Sequence, residues 1–181
     1  MKKLFRKYVP DPGSVRSRRL VAAFGGWLQR PGLWQLNRRS VAGAVAIGLF
    51  AGLVPGPFQM LTALLLAIAL RRNVPVALAT TLYTNPLTIV PLYVLAYEYG
   101  RLLLGEGTGR PPAGEFRMDW SDWAGSAWAL WDWMRALGPA LALGLAALAV
   151  TLAAIGYVAV QLAWRAHVAL AWRARRAKRE K

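Results

Sequence analysis

The chain has 181 residues, 56% of them hydrophobic, with a mean hydropathy of +0.33 and a formal charge of +15 from 23 Lys+Arg against 8 Asp+Glu. Soluble domains usually carry about 25% charged residues. The 17% found here, joined to such net basicity, excludes an ordinary soluble domain and requires apolar and basic sequence to be segregated along the chain. The absence of cysteine excludes disulfides, thiolate metal sites and cysteine nucleophiles.

The first 39 residues are basic. MKKLFRKYVPDP at residues 1–12 has no room for the apolar core of a cleavable signal, so the first apolar run is expected to act as its own insertion signal. In SVRSRRLVAAFGGWLQRPG, Leu20, Ala23, Phe24, Trp27 and Leu28 share one helical face amid arginines, and Pro31-Gly32 stops the helix. Such a helix lies on the anionic inner leaflet or packs on the protein's own cytoplasmic side. Trp27 and Trp34 are the expected interface anchors here.

From Ser40 to Leu70 no residue is charged, and apolar runs of about 18 or more residues signal membrane spans. This run is interrupted at Pro55-Gly56-Pro57, where Pro removes a backbone N–H and clashes with the preceding turn. The two arms are about 14 residues, roughly 21 Å each at 1.5 Å per residue, too short for a hydrocarbon core of about 30 Å. Arg38-Arg39 and Arg71-Arg72 flank the run, and both favour the cytoplasm. A re-entrant hairpin satisfies length, charge and break together. A single kinked span is the alternative, with Arg71 and Arg72 outside.

The next charge-free run, Val74–Tyr97, breaks at Asn85-Pro86 and carries a further Pro91, since the residue before Pro is pushed out of the helical region. An offset of 29 places Pro57 on Pro86, Gln59 on Thr88 and Arg72 on Arg101. This weak internal similarity is of the kind that marks binding sites in transporters. Glu98 lies near the end of this run, either a functional group or a side chain that reaches the interface or pairs with Arg101.

The segment 105–136 is acid-rich and reads as an extracytoplasmic loop. It holds DWSDWAGSAWALWDWMRALG, with five Trp in fourteen residues. On a helical wheel Trp120, Trp123, Ala127, Leu130, Trp131 and Met134 cluster, whereas Asp122, Gly125, Ser126 and Asp132 face away. An outer-surface interfacial helix follows from this pattern. Residues 137–164 form the last charge-free run, a transmembrane helix ending at the anchor Trp164. The tail 165–181 is basic and cytoplasmic.

The sequence therefore predicts an all-α membrane protein. Its parts are a cytoplasmic amphipathic segment (1–39), a core of Pro-broken, re-entrant helices (40–104), the loop with its interfacial helix (105–136), the span (137–164) and the tail (165–181). Both termini are cytoplasmic, and two crossings close the topology if the second broken run spans the bilayer. Basic residues flank spans, where orientation explains them, so no nucleic-acid partner is expected. The sole histidine, His167, has no acid or ligand partners nearby. No catalytic set, metal site or cofactor is expected.

The stretch PGLWQLNRRSVAGAVAIGLFAGLVPGPFQMLTALLLAIALRRNVPVALATTLYTNPLTIVPLYVLAYEYG resembles the bacterial DUF2062 family. The resemblance runs from about Trp27 to Leu104, and the Trp-rich loop and final span lie outside it. Its carriers are Trp34, Ser40-Val41, Gly48-Leu49-Phe50, the P-x-P-x-Q of Pro55, Pro57 and Gln59, the R-x-N-x-P of Arg71, Asn73 and Pro75, and Thr84-Asn85-Pro86 with Thr88. The resemblance implies a bacterial inner-membrane protein and supplies no reaction, although related domains are sometimes fused to glycosyltransferases.

Pro55, Pro57, Gln59, Arg72, Asn73, Asn85, Pro86, Thr88 and Glu98 are the candidate binding or helix-break residues; Gln59, Asn73, Asn85 and Thr88 would supply hydrogen bonds to a ligand, or else Gln59, Asn85 and Thr88 cap the helix ends freed by proline. Two functions fit: a small oligomeric transport or lipid-handling protein of the envelope, or a non-catalytic scaffold or accessory subunit of an envelope-synthesis enzyme. Two crossings enclose little space, so the first implies a homo-oligomer.

Overall fold

A computed structural model describes residues 33–56, 58–106, 116, 119 and 121–177, the last five as backbone. The amphipathic segment with Trp27, together with Pro57 and Trp120, lies outside the described residues. All described regular structure is helical: α1 (Arg38–Ala51), α2 (Phe58–Ala69), α3 (Val74–Thr81), α4 (Ile89–Leu104), α5 (Trp123–Ala136) and α6 (Gly138–Ala177).

Of the three charge-free runs, only the last forms one long helix. Within α6, Gly138–Trp172 is the one helix among the described residues long and apolar enough to cross a membrane. The other two runs are each cut in two by their prolines. Helix α6 does not end at Trp164, where the last run stops being apolar, but continues to Ala177. Ala and Arg dominate the added turns, and both favour helix.

Helix α1 begins where the Asn37 side chain accepts a hydrogen bond from the Ser40 N–H, 2.8 Å. Its Gly and Val content makes it a poor helix by propensity. What holds it is a buried face of small residues, including Ala44, Gly48 and Ala51, which lets α2, α3 and α6 approach it. The helix tightens at Leu53 and Val54, whose N–H groups bond three residues back, and the chain reverses through Pro55 and Gly56 (φ 68°).

Helix α2 returns antiparallel to α1. At its end the Arg72 guanidinium donates to the Arg39 carbonyl, 3.1 Å, and Asn73 Nδ2 donates to the Gln35 carbonyl, 3.2 Å. Residues 33 and 38 positions apart thus meet at the hairpin base. A second reversal at Arg71 sends α3 back up beside α1. Gly48 abuts the Ala77 carbonyl and Thr80, and Gly52 abuts the Tyr83 ring, so α1 and α3 run parallel.

The second break does not reverse the chain. Helix α4 continues away from the hairpin base, and α6 comes back along it. An added Cβ at Gly100 would fall 1.8 Å from the Ala140 carbonyl oxygen, and one at Gly144 would fall 1.7 Å from that of Ala96. Each helix therefore presents Ala-x-x-x-Gly (96–100 and 140–144) to the other, and backbone packs on backbone. Lower down, Gly156 of α6 faces Leu49 and Val45, while Leu53 joins Leu148 and Ala149 in one core cluster. Helix α6 thus descends past α4 and then past the hairpin.

The proposed internal similarity fails as geometry: one break makes a hairpin, whereas the other joins two helices running the same way. Pro91 interrupts nothing, because it lies in the first turn of α4, where its missing N–H would have had no intrahelical partner.

Replacing Gly100 or Gly144 by Leu should force α4 and α6 apart. Each variant is expected to lose about 3 kcal/mol or more, as overpacking of a close contact does, measured by reversible unfolding in detergent. A loss below about 0.5 kcal/mol in both would mean that this crossing does not hold the fold.

Candidate functional site

The sequence-selected residues fall at three levels along the molecule. Gln59, Asn85, Pro86 and Thr88 lie with Pro55 where the two breaks meet. Arg72 and Asn73 lie at the hairpin base, and Glu98 stands well along α4.

At the breaks, Thr84 Oγ1 lies 2.7 Å from Gln59 Oε1 and 2.9 Å from the Thr81 carbonyl oxygen. A single hydroxyl proton serves one acceptor well. Both contacts are satisfied when the Gln59 amide presents its nitrogen to Thr84, an orientation indistinguishable from the other by shape. Thr84 is buried, and this pair ties the start of α2 to the end of α3. Tyr83 completes the tie: its hydroxyl donates to the Leu49 carbonyl, 2.7 Å, a carbonyl near the end of α1 whose usual partner, the Leu53 N–H, bonds Phe50 instead. Sequence reading passed over Tyr83. Its only signal was a phenol adjoining an Asn-Pro break in an apolar run.

Asn85 and Thr88 brace each other in the turn that leads into α4. Asn85 Oδ1 accepts from the N–H groups of Leu87 and Thr88, at 2.9 and 3.2 Å. Thr88 Oγ1 accepts from the Asn85 N–H at 3.0 Å and donates to the Tyr83 carbonyl at 2.5 Å. This has the logic of a capping box, with Pro86 at the first position where a missing N–H costs nothing.

At the hairpin base Asn73 is 2% exposed, and its Oδ1 accepts from the Val76 N–H, 3.0 Å, capping α3. Arg71 holds φ 53°, the left-handed region usually given to glycine. The Arg72 N–H reaches the Ala67 carbonyl and the Arg71 N–H that of Ile68, which is the Schellman pattern. The Arg72 side chain then lies over Gly43, where an added Cβ would stand 2.7 Å from its Cδ.

Glu98 keeps one carboxylate oxygen buried without a hydrogen-bond partner. Arg101 does not pair with it. Instead Arg101 Nε lies 3.9 Å from Glu106 Oε2, Nη2 donates to the Glu106 carbonyl, and the guanidinium sits 5.7 Å from the Tyr97 ring centroid. The break in sequence at Gly105 folds Glu106 back to where Glu98 was expected.

The Trp-rich helix exposes Trp123 and Trp131 of the expected cluster and turns the side away from them toward the protein. Ser126, expected to face away, is buried: its hydroxyl accepts from the Asp119 N–H and donates to the Asp119 carbonyl, both 3.0 Å. Trp133 is the indole that packs inward, beside Phe116 at 6.0 Å between ring centroids. Trp123, Trp128 and Trp131 are exposed. Asp122 caps the helix by accepting from the Gly125 N–H, 2.8 Å. Asp119, outside the helix, accepts from the Ser121 hydroxyl and N–H, which hold its carboxyl below the ordinary carboxylate range. Trp34 is half-buried against the lower core cluster, and Trp164 sits on the partly exposed side of α6.

The chain matches the family described as "Uncharacterized protein conserved in bacteria (DUF2062)" over residues 21–173. It belongs to the DUF2062 family. The match takes in the Trp-rich loop and the final helix, which the sequence resemblance had left outside the family pattern. No curated protein and no solved structure matches the chain.

Because the polar groups at the breaks serve helix ends, Asn85→Ala should cost about 1 kcal/mol through its lost cap. Arg71→Gly should gain about 1 kcal/mol by relieving the left-handed residue. Both are read from unfolding midpoints in detergent. Stabilisation by Asn85→Ala would show that Asn85 is held for a purpose other than capping.

Proposed function

We propose that this DUF2062 protein is a multi-pass protein of the bacterial inner membrane with both termini cytoplasmic. In this reading α1–α2 is a re-entrant hairpin, and the chain works as a small oligomeric transport or lipid-handling protein of the envelope. The observation that carries the reading is the meeting of both Pro breaks, through Gln59 and Thr84, partway along α6.

Charge position supports the placement. Arg38, Arg39, Arg71 and Arg72 gather at the hairpin base, whereas Arg101, Glu106, Asp132 and Arg135 lie at the far end of α4 and α6. Between Gly138 and Trp164, α6 rises roughly 40 Å at 1.5 Å per residue, about the thickness of a bilayer with its headgroups. Only 22% of its most apolar window is buried. Phe58, Met60, Leu61 and Leu65 of α2 are also exposed, a surface suited to lipid. The hairpin rises about 21 Å and stops within the hydrocarbon, where irregular backbone is tolerated only against protein or water. Self-association or a polar solute would supply that cover. The exposed Trp face of α5 suits the outer interface.

A second reading, the non-catalytic accessory subunit of an envelope-synthesis enzyme, is favoured by one fact: Asn73, Asn85 and Thr88 are already engaged in caps. Gln59→Leu separates the two. In proteoliposomes with a fluorescent phospholipid, wild type is expected to expose inner-leaflet probe to dithionite, and Gln59→Leu, inserted in equal amount, to do so at least tenfold more slowly. No exchange by wild type would put the accessory reading first.

Topology is checked separately, since the chain has no native Cys to mask. Cysteine at Arg71 should react with an impermeant thiol reagent only after spheroplasts are opened, and cysteine at Thr108 in intact ones. External labelling at 71 would replace the hairpin by a kinked span.

A further inference from the structure

Two helix starts and four arginines converge at the hairpin base. The Asn73–Gln35 hydrogen bond sets the N-terminus of α3 beside that of α1, and the Arg72–Arg39 bond draws the end of α2 to the same place. Asn37 and Asn73 already take the Ser40 and Val76 N–H groups, but the dipoles of two helix starts still favour an anion. Arg38, Arg39, Arg71 and Arg72 add four positive charges. Arg165, nine residues beyond Gly156 on α6, falls at this level too, because Gly156 faces Val45 and Leu49 and α1 needs the same rise to reach Arg38.

No acidic residue occurs between Pro12 and Tyr97, so nothing from that stretch of chain neutralises the cluster. The hairpin geometry holds these charges together against their mutual repulsion. Independently, Ser40 in the first turn of α1 is 4% exposed, and its hydroxyl has no hydrogen-bond partner. A buried hydroxyl seldom lacks an acceptor, and an orphan calls for an explanation. A phosphate oxygen at the helix start would supply one.

We propose that the hairpin base is a binding site for the phosphate of an anionic phospholipid, set between the N-termini of α1 and α3 and held by Arg39, Arg71 and Arg72. Arginine suits a phosphate through paired N–H donors. Leu36 and Leu70 flank the cluster and are 44% and 57% exposed, an apolar rim that suits acyl chains and points to a lipid rather than a free anion. The site rests on the membrane placement proposed above and adds to it a specific partner.

The test uses the full-length protein in neutral detergent, with phosphatidylglycerol, phosphatidylcholine or inorganic phosphate added. Retained lipid is counted by native mass spectrometry, and the thermal midpoint is followed in parallel. Wild type is expected to retain phosphatidylglycerol over phosphatidylcholine and to gain stability from it alone. Arg39→Gln and Arg71→Gln replace exposed side chains and leave the Arg72 contact in place. Each should weaken retention about fivefold, and together about twenty-fivefold, following the usual contribution of a basic residue near an anionic lipid surface. Arg135→Gln, at the opposite end, should retain the lipid as wild type does. The single variants decide the matter if the double variant does not fold.

Equal retention by wild type and the variants would overturn the proposal. So would equal loss in Arg135→Gln, which would mark a diffuse charge effect, and so would equal stabilisation by inorganic phosphate, which would mark a soluble anion. Carbonate-resistant flotation of the same protein with phosphatidylcholine liposomes reports membrane insertion independently. A protein that inserts but shows no lipid preference defeats the site alone, and one that does not insert defeats the placement.

Discussion

Every backbone group that proline frees in an apolar stretch has to find a partner, because an unpaired buried N–H or carbonyl costs as much as a lost hydrogen bond. Between Gln35 and Thr88 this requirement fixes what most polar side chains do. Tyr83 serves the end of α1, Asn85 and Thr88 serve the start of α4, Asn73 serves the start of α3, and Arg72 serves Arg39. The breaks are thereby rigid corners, and the helices they join are held at defined places. Gln59 and Thr84 differ from the others, since they bind each other across the two breaks.

Close approach is the second constraint, and small residues meet it. Where α4 crosses α6, Ala96, Gly100, Ala140 and Gly144 leave no room for a side chain. Where α1 meets α3, Gly48 does the same against the Ala77 carbonyl. Such contacts gain through packing and so work where no hydrophobic effect separates helix from surroundings. They also explain how α1, rich in Gly and Val, holds a helix it would not form alone.

Under the proposed membrane placement, the same hairpin that satisfies its own backbone also concentrates charge. The turn at Arg71 brings the arginines after α2 to those before α1, so a feature that looked like two orientation signals in the sequence becomes one basic surface. The far end is mixed in sign, with Arg101 and Glu106 paired. Because 106 is largely exposed, that pair contributes little to stability, and it marks the boundary more than it holds it.

The sequence by itself determined the helical class, the family and the places where helices break. Length and charge-free composition are local properties, and Pro-Gly and Asn-Pro act on the residues beside them. It also offered capping by Asn85 and Thr88 beside a ligand-binding role, and the partners of Asn85 lie two or three residues away. Charge and arm length favoured a reversal at the first break and none at the second, but only the tertiary structure decided between that and one kinked helix. That depends on contacts such as Arg72–Arg39 and Tyr83–Leu49, made across more than thirty residues, which local pattern does not encode. Which side of the Trp-rich helix packs on the protein was likewise beyond a helical wheel, because a wheel ranks faces by hydrophobicity alone. The inward face was set instead by Ser126 bonding Asp119 and by Trp133 meeting Phe116. Of the roles open to Glu98, only the pairing with Arg101 is not made: the left-handed turn at Gly105 brings Glu106 to Arg101 instead.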